Sequence, residues 1–337
     1  MIGFRNLNAH VKGLINGSYP DIGQVFYMVD SNYRTAAQGW SNAQGTGPLD
    51  LFAAYGDGAE TYVYYAPGTQ PSGVTYATDR AAIQAMIDAQ TDFRGDIGFF
   101  TPGAYSLATT ALAFNVPNAR YLGPPVANPK RSVVTLTDAI GDNAVSVDNV
   151  EFGFLRFVPL TAQNWFQIAN GADGGYIHDS FYDADGITAD TATEFIATAA
   201  TTEEWLVERV TSFVDAAQGS FAALIGANWW KFSDCEFIVD GGTWASVITF
   251  LTTASQGCQV LGSRTVAAGA SSLITNVFTG MAGANMLKVL DFRMDGTATP
   301  TAGNIETGFD ATTGIELAEC YITGDATTQG GLLIVLT

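Results

Sequence analysis

The sequence predicts an all-β chain wound as a right-handed, single-stranded parallel β-helix of about eight coils. Three observations predict it. One apolar template recurs at intervals of about 28 residues. The composition is 47% hydrophobic with only 14% charged residues and 37 glycines, which suits many short buried strands joined by tight turns. A second apolar patch follows each copy of the template, as expected if every coil contributes to more than one stacked sheet.

The template reads apolar, x, apolar, x, x, apolar, x, apolar, turn. It is clearest in Trp230–Gly242 (WKFSDCEFIVDGG), Leu287–Gly296 (LKVLDFRMDG) and Ile315–Asp325 (IELAECYITGD). Extended along the chain it gives coil starts at Phe114, Val150, Tyr176, Trp205, Trp230, Cys258, Leu287 and Ile315. Strand alternation sends the apolar positions inward, and the central xx is a bend that keeps the inward face. The second patches are Phe166/Ile168, Ile196, Leu224, Ile248/Phe250, Ile274, Ile305 and Leu332/Ile334. One such coil cannot bury its own apolar face, so neighbours above and below must do so, and the ends need caps.

A capping helix is expected over 79–90, DRAAIQAMIDAQ. Ala82, Ile83, Met86, Ile87 and Gln90 fall near one face, Thr78 is placed as N-cap and Gly95 follows the end. Residues 1–75 do not fit the template. They hold two aromatic clusters, VFYMVD and TYVYYAPG, around a polar Gly-rich stretch, and are expected to form a separate anchoring or assembly segment before a β-helix domain at 76–337.

From Thr78 to Pro125 the chain resembles the opening of the pectin-lyase-like superfamily, where an AIQAAID-type helix precedes a strand and a PxGxY turn. The matching residues are Ala82-Ile83-Gln84-Ala85-Met86-Ile87-Asp88 and Pro102-Gly103-Ala104-Tyr105. The resemblance implies the β-helix fold. It implies no one activity, because that superfamily spans polysaccharide lyases, hydrolases, phage tailspikes and inert adhesins. Residues 1–75 resemble N-terminal regions of phage virion β-helix proteins.

Net charge is −19, from 33 acidic and 14 basic residues. Such a chain repels phosphate backbones and anionic lipid heads, so neither nucleic acid nor membrane is an expected partner. The start lacks a basic segment followed by an apolar one, and no stretch reaches the roughly 20 apolar residues of a membrane span. Three cysteines, Cys235, Cys258 and Cys320, sit at wide spacing beside only two histidines. They read as small core fillers, with no disulfide framework and no zinc site.

Polysaccharide cleavage on this fold would need paired carboxylates, or carboxylate-bound calcium with a basic catalyst, on one exposed sheet. The densest acidic group is His178, Asp179, Asp183 and Asp185. The template turns His178 and Asp183 inward, unless the register slips by one there. The group reads either as a calcium or general-acid cluster or as a polar turn with one satisfied histidine; the EF-hand oxygen set is incomplete. A second group is Asp234, Glu236 and Asp240, with Glu236 outward and Asp234 at the bend, and a third is Glu203, Glu204 and Glu208. Asp179, Asp183, Asp234 and Glu236 are thus the catalytic candidates. Polygalacturonase, pectate-lyase and nucleotide-binding motifs are absent, and no cofactor or metal is expected.

Beyond Arg131 the cations are Arg156, Arg209, Lys231, Arg264, Lys288 and Arg293. The template puts Lys231 and Lys288 outward between the first and second apolar positions. It puts Arg156, Arg264 and Arg293, like Arg120 before them, outward between the third and fourth. These residues are expected to decorate the outer face of one sheet and meet a carboxylate-bearing surface; ordinary solubilising charge is the alternative. An acidic β-helix without an active-site motif suggests rigidity and surface rather than chemistry. The expectation is a non-enzymatic virion structural protein on the capsid exterior, a homotrimeric head decoration or cement protein bound to the major capsid protein or other virion proteins. The alternative is a phage tailspike or fibre that binds, or cleaves, a host glycan.

Overall fold

The computed structural model describes residues 26–29, 62–65, 67–69, 73–93, 95–161, 163–185, 190–215, 218–251, 255–268, 273–280, 287–296, 304–307 and 315–323. It is a parallel β-solenoid with very little helix. Three sheets run along it, with eleven, nine and eight strands among the described residues. Each rung passes through the eleven-stranded sheet (sheet 1), bends into the nine-stranded sheet (sheet 2), and crosses to the eight-stranded sheet (sheet 3). All pairing between rungs is parallel; the short pair Gly68–Thr69 with Thr75–Tyr76 is antiparallel.

The template positions are the interior. In the rung that starts at Trp230, the residues Trp230, Phe232, Cys235 and Phe237 are all buried, and Val150, Phe152, Leu155 and Phe157 repeat the pattern. Equivalent residues stack directly, so Tyr121, Phe152, Ile177, Val207, Phe232, Val260 and Val289 form one internal column. Burying each large side chain contributes about 1.5–3 kcal/mol relative to exposure. The second patches lie in sheet 3, where Phe166, Ile168, Ile196, Leu224, Ile248 and Phe250 are buried; Leu332 and Ile334 fall outside the described residues.

Two coil starts need correction. Phe114 belongs to sheet 3, paired with Val145. The rung below Val150 starts at Ala119 and Tyr121, is interrupted by a loop containing the 3-10 turn Pro129–Arg131, and resumes at Val134 and Leu136. The other slip is at Tyr176. Glu151, Tyr176 and Leu206 are partners, so the equivalent of Val150 and Trp205 is Gly175. A Cβ on Gly175 would fall 2.3 Å from the Trp205 ring. The indole therefore fills the volume of two rungs, and the apolar signal at the true start is missing. Ile177, Ser180 and Tyr182 point inward, whereas His178 and Asp183 do not; both are nonetheless buried, by neighbours on the outer surface.

Corners are set by left-handed residues in columns. At the bend between sheets 1 and 2 stand Phe154, Asp179, Arg209, Asp234, Gly262, Asp291 and Glu319; just before sheet 1 stand Asn118, Asn149, Gly174, Glu204, Trp229 and Gly257. Each of Asn118, Asn149, Gly174, Glu204 and Trp229 donates its N–H to the carbonyl before the next member, which carries the ladder round the corner. A non-glycine residue there costs of order 1 kcal/mol.

The helix spans Asp79–Asp88, with the Thr78 hydroxyl accepting from the Ala81 N–H at 3.1 Å. Ala82, Ile83, Met86 and Ile87 are buried in one core with Val29, Tyr65 and Tyr105. Phe26–Val29 and Tyr62–Tyr65 are strands of sheet 1, the former paired to Ile97–Phe100. The rest of 1–61 lies outside the described residues.

Candidate functional site

The strongest concentration of ionisable groups is on the outer face of sheet 1 beside its bend into sheet 2. Arg120 and Glu151 are register partners on adjacent strands. Their bond is bidentate, Nε to Oε2 at 2.6 Å and Nη2 to Oε1 at 3.0 Å. Glu151 Oε1 also lies 3.1 Å from His178 Nε2, and His178 Nδ1 lies 2.9 Å from Asp179 Oδ2. Asp179 is gripped by Arg209 through two bonds of 2.7 Å, Arg209 reaches Glu208 at 2.7 Å, and Tyr176 donates to Glu208 at 2.5 Å. The chain closes on itself, because the Tyr176 ring stacks on His178 with centroids 4.3 Å apart.

Local structure explains the site. Asp179 and Arg209 occupy the same left-handed corner position on consecutive rungs, so they meet at the strand spacing of about 4.8 Å. His178 lies flat over Gly153, where a Cβ would come within 2.5 Å of its Cε1 and Nε2. Phe154 closes the ring edge-on at 5.1 Å.

Burial alone would lower the His178 pKa, but Asp179 and Glu151 overcome it and hold the imidazole above its usual value. Burial would likewise raise both carboxyls. The bonds from His178 and Arg120 hold Glu151 down at about 2, and those from Arg209 and His178 hold Asp179 at about 2. Each ring nitrogen faces a carboxylate oxygen, so the imidazole, once protonated, is clamped between two carboxylates. Both ring nitrogens are committed, so neither can take a proton from a bound molecule.

The other candidates are likewise engaged. Asp183 pairs with Arg156, whose guanidinium lies 5.4 Å from the centre of the Phe181 ring. Glu236 takes Arg264 at 2.5 Å and Lys130 at 3.1 Å; burial would raise its carboxyl, and these two cations lower it. Asp234 is an exposed corner residue that accepts from the Ser233 hydroxyl at 3.1 Å. Asp185 hydrogen-bonds Asp215, which raises its carboxyl. Among the described residues, no group of three or more His, Cys, Asp or Glu side chains is placed to hold a metal ion. Cys235 and Cys258 are buried, with burial pushing each thiol up to about 12.

The cations are not on one sheet. Arg120, Lys231 and Lys288 lie on sheet 1, whereas Arg156, Arg264 and Arg293 lie on sheet 2. The xx bend is a corner between sheets, so the two outward positions face different ways; Arg120 stands at the first, not the second. Most are spent on neighbours: Arg120 on Glu151, Arg156 on Asp183, Arg264 on Glu236, Lys288 on Glu316 and Arg293 on Asp291. Glu151, Tyr176 and Arg209 were not predicted as site residues. Their signal depends on two corrected rung starts: Ala119 sets Arg120 beside Glu151, and Gly175 sets Asp179 beside Arg209.

No family model matches this sequence and no curated protein matches it. Among solved structures, the chain is similar to a protein described as Geobacillus virus E2 ORF18, at 12% identity and a TM-score of 0.32. The alignment covers 74% of this chain and 57% of that one, so this chain spans a little over half of that protein's length.

Proposed function

We propose that the chain is a non-enzymatic structural protein of a virus particle, most simply a homotrimeric head-decoration protein that projects its coil from the capsid shell. One observation carries the reading: Asp179, Asp183 and Glu236 are each paired with arginine, and His178 has both nitrogens bound to carboxylates. These paired side chains on sheets 1 and 2 thus supply rigidity and shape, where hydrolysis or elimination would need them as a free acid and base. A stiff solenoid with an acidic surface suits a part that resists deformation and stays soluble at high copy number. The outward column of sheet 3, Ala113, Ala144, Gln167, Ala197, Ala223 and Thr249, is uncharged and, apart from Gln167, small, which favours side-by-side packing of copies there.

Gold-labelled antibody against the chain, applied to particles of the virus that encodes it, tests the reading. Labelling of heads is expected. Labelling confined to tails would favour the tailspike or fibre alternative, and absence from particles would refute both. Cleavage of a host-surface polysaccharide by the purified chain would overturn the non-enzymatic part.

A further inference from the structure

The corner just before sheet 1 carries a distinct set of side chains. Its left-handed column runs Asn118, Asn149, Gly174, Glu204, Trp229 and Gly257. Phe93, also left-handed, joins it below by donating its N–H to Pro117 O, the carbonyl before Asn118. From Phe93 to Trp229 is five rung steps, about 24 Å at the spacing of adjacent strands. The aromatic residues at the two ends of that stretch are among the most exposed large apolar side chains described, Phe93 at 74% and Trp229 at 53%. The Trp229 indole lies on Gly257, where a Cβ would come within 2.2 Å of the ring. One face is thus seated on the backbone while the side chain remains half exposed.

Between the aromatics the described charged residues of the ridge are acidic. Asp148, Asp173, Glu203 and Glu204 lie along it. Asp148 and Asp173 accept backbone N–H groups from the next rung, and Glu203 accepts from Asn228. None of the four forms an ion pair among the described residues, whereas Glu151, Asp179, Asp183, Glu208 and Glu236 on sheets 1 and 2 all have cations against them. Among the described residues, uncompensated negative charge therefore collects on the edge that also exposes Phe93 and Trp229.

We propose that this ridge is a docking surface for an extended basic segment of a protein partner, its lysine or arginine side chains stacking on Trp229 and Phe93 and pairing with the carboxylates between them. Charge complementarity selects this occupant. A cation above an aromatic face gains from the ring quadrupole, and flanking carboxylates add Coulomb attraction and steer encounter. Nucleic acid and acidic glycans meet repulsion here. The inference does not depend on the chain being a virion protein.

Calorimetric titration of the full chain with an extended peptide of alternating lysine and serine tests it, with maltohexaose as a neutral-glycan probe. The peptide is expected to bind, more weakly as salt rises. Trp229→Gly, which suits a left-handed position, is expected to weaken binding about fivefold, the upper range for loss of an exposed cation–π contact. Glu204→Gln is expected to weaken it by a smaller factor, and Asp240→Asn, on the far corner, to leave it unchanged. No peptide binding by the unaltered chain overturns the proposal. Equal weakening by Asp240→Asn also overturns it, by showing diffuse attraction to an acidic protein. Binding of maltohexaose that Trp229→Gly abolishes, with no peptide binding, would instead mark a sugar platform.

Discussion

The Trp205 indole occupies the space that a side chain on Gly175 would fill, with a Cβ there only 2.3 Å from the ring. Trp205 also stacks on Trp230, nearly parallel at 16°, and donates its N–H to Ala172 O at 2.7 Å. The ring is fixed on both sides and cannot move aside. Gly175→Ala is therefore expected to destabilise the coil by roughly 1–3 kcal/mol, the usual cost of overpacking. Chemical denaturation measures it, and pairing the change with Trp205→Leu should recover part of the loss; additive losses would sink the explanation.

The clamped imidazolium predicts a stability maximum in mildly acid solution. Glu151 and Asp179 are held at about 2 in the folded chain. Their contribution is complete above the ordinary carboxylate range, and it is lost as pH falls from about 4.5 through 2. His178 is shifted the other way, so its contribution is complete below its unfolded value of about 6.5 and fades as pH rises through the higher folded value. Melting temperatures across this range should peak between about pH 5 and 6.5. A His178→Gln chain should lose the alkaline decline and keep the acid one.

Glu151→Gln removes the carboxylate shared by Arg120 and His178. Because Glu151 is largely shielded from solvent, a loss of about 2–3 kcal/mol at neutral pH is expected. The His178 pKa, followed by NMR titration, should fall at the same time. An unchanged histidine titration would show that the 3.1 Å contact is not an ion pair in solution.

Glu204 holds a left-handed conformation, φ 58°, with an exposed side chain. Asparagine adopts that region more readily, so Glu204→Asn should stabilise the fold by about 0.5–1 kcal/mol. A lower melting temperature would mean that the glutamate makes a contact that outweighs its strain.

Thiol reactivity offers a separate check on the register. Cys235 and Cys258 face the interior with thiols pushed up to about 12 by burial, while Cys320 is only half-buried. Under native conditions at pH 8, Cys320 should react with a disulfide reagent while the other two stay protected until unfolding. Rapid modification of Cys235 would contradict its inward position.

The solenoid was legible because Trp230, Phe232, Cys235 and Phe237, and their equivalents, obey one spacing strictly enough to survive averaging over rungs. The failures came where volume was supplied from elsewhere. Gly175 has no apolar side chain because Trp205 serves its rung, and the loop before Val134 splits another template in two. The site depended on those same places. Asp179 was visible as an acid, but its partner Arg209 could be assigned only after the rungs were aligned. Lys130 reaching Glu236 across several rungs leaves no trace in local sequence at all.

The network from Arg120 through Glu151, His178, Asp179 and Arg209 ties four consecutive rungs together from outside. A solenoid ordinarily frays from its ends, one rung at a time, because each rung answers only to its neighbours. A brace spanning four rungs makes them open together or not at all. Amide hydrogens between Arg120 and Arg209 should consequently exchange with solvent as one slow block, and unravelling that starts at either tip should halt there.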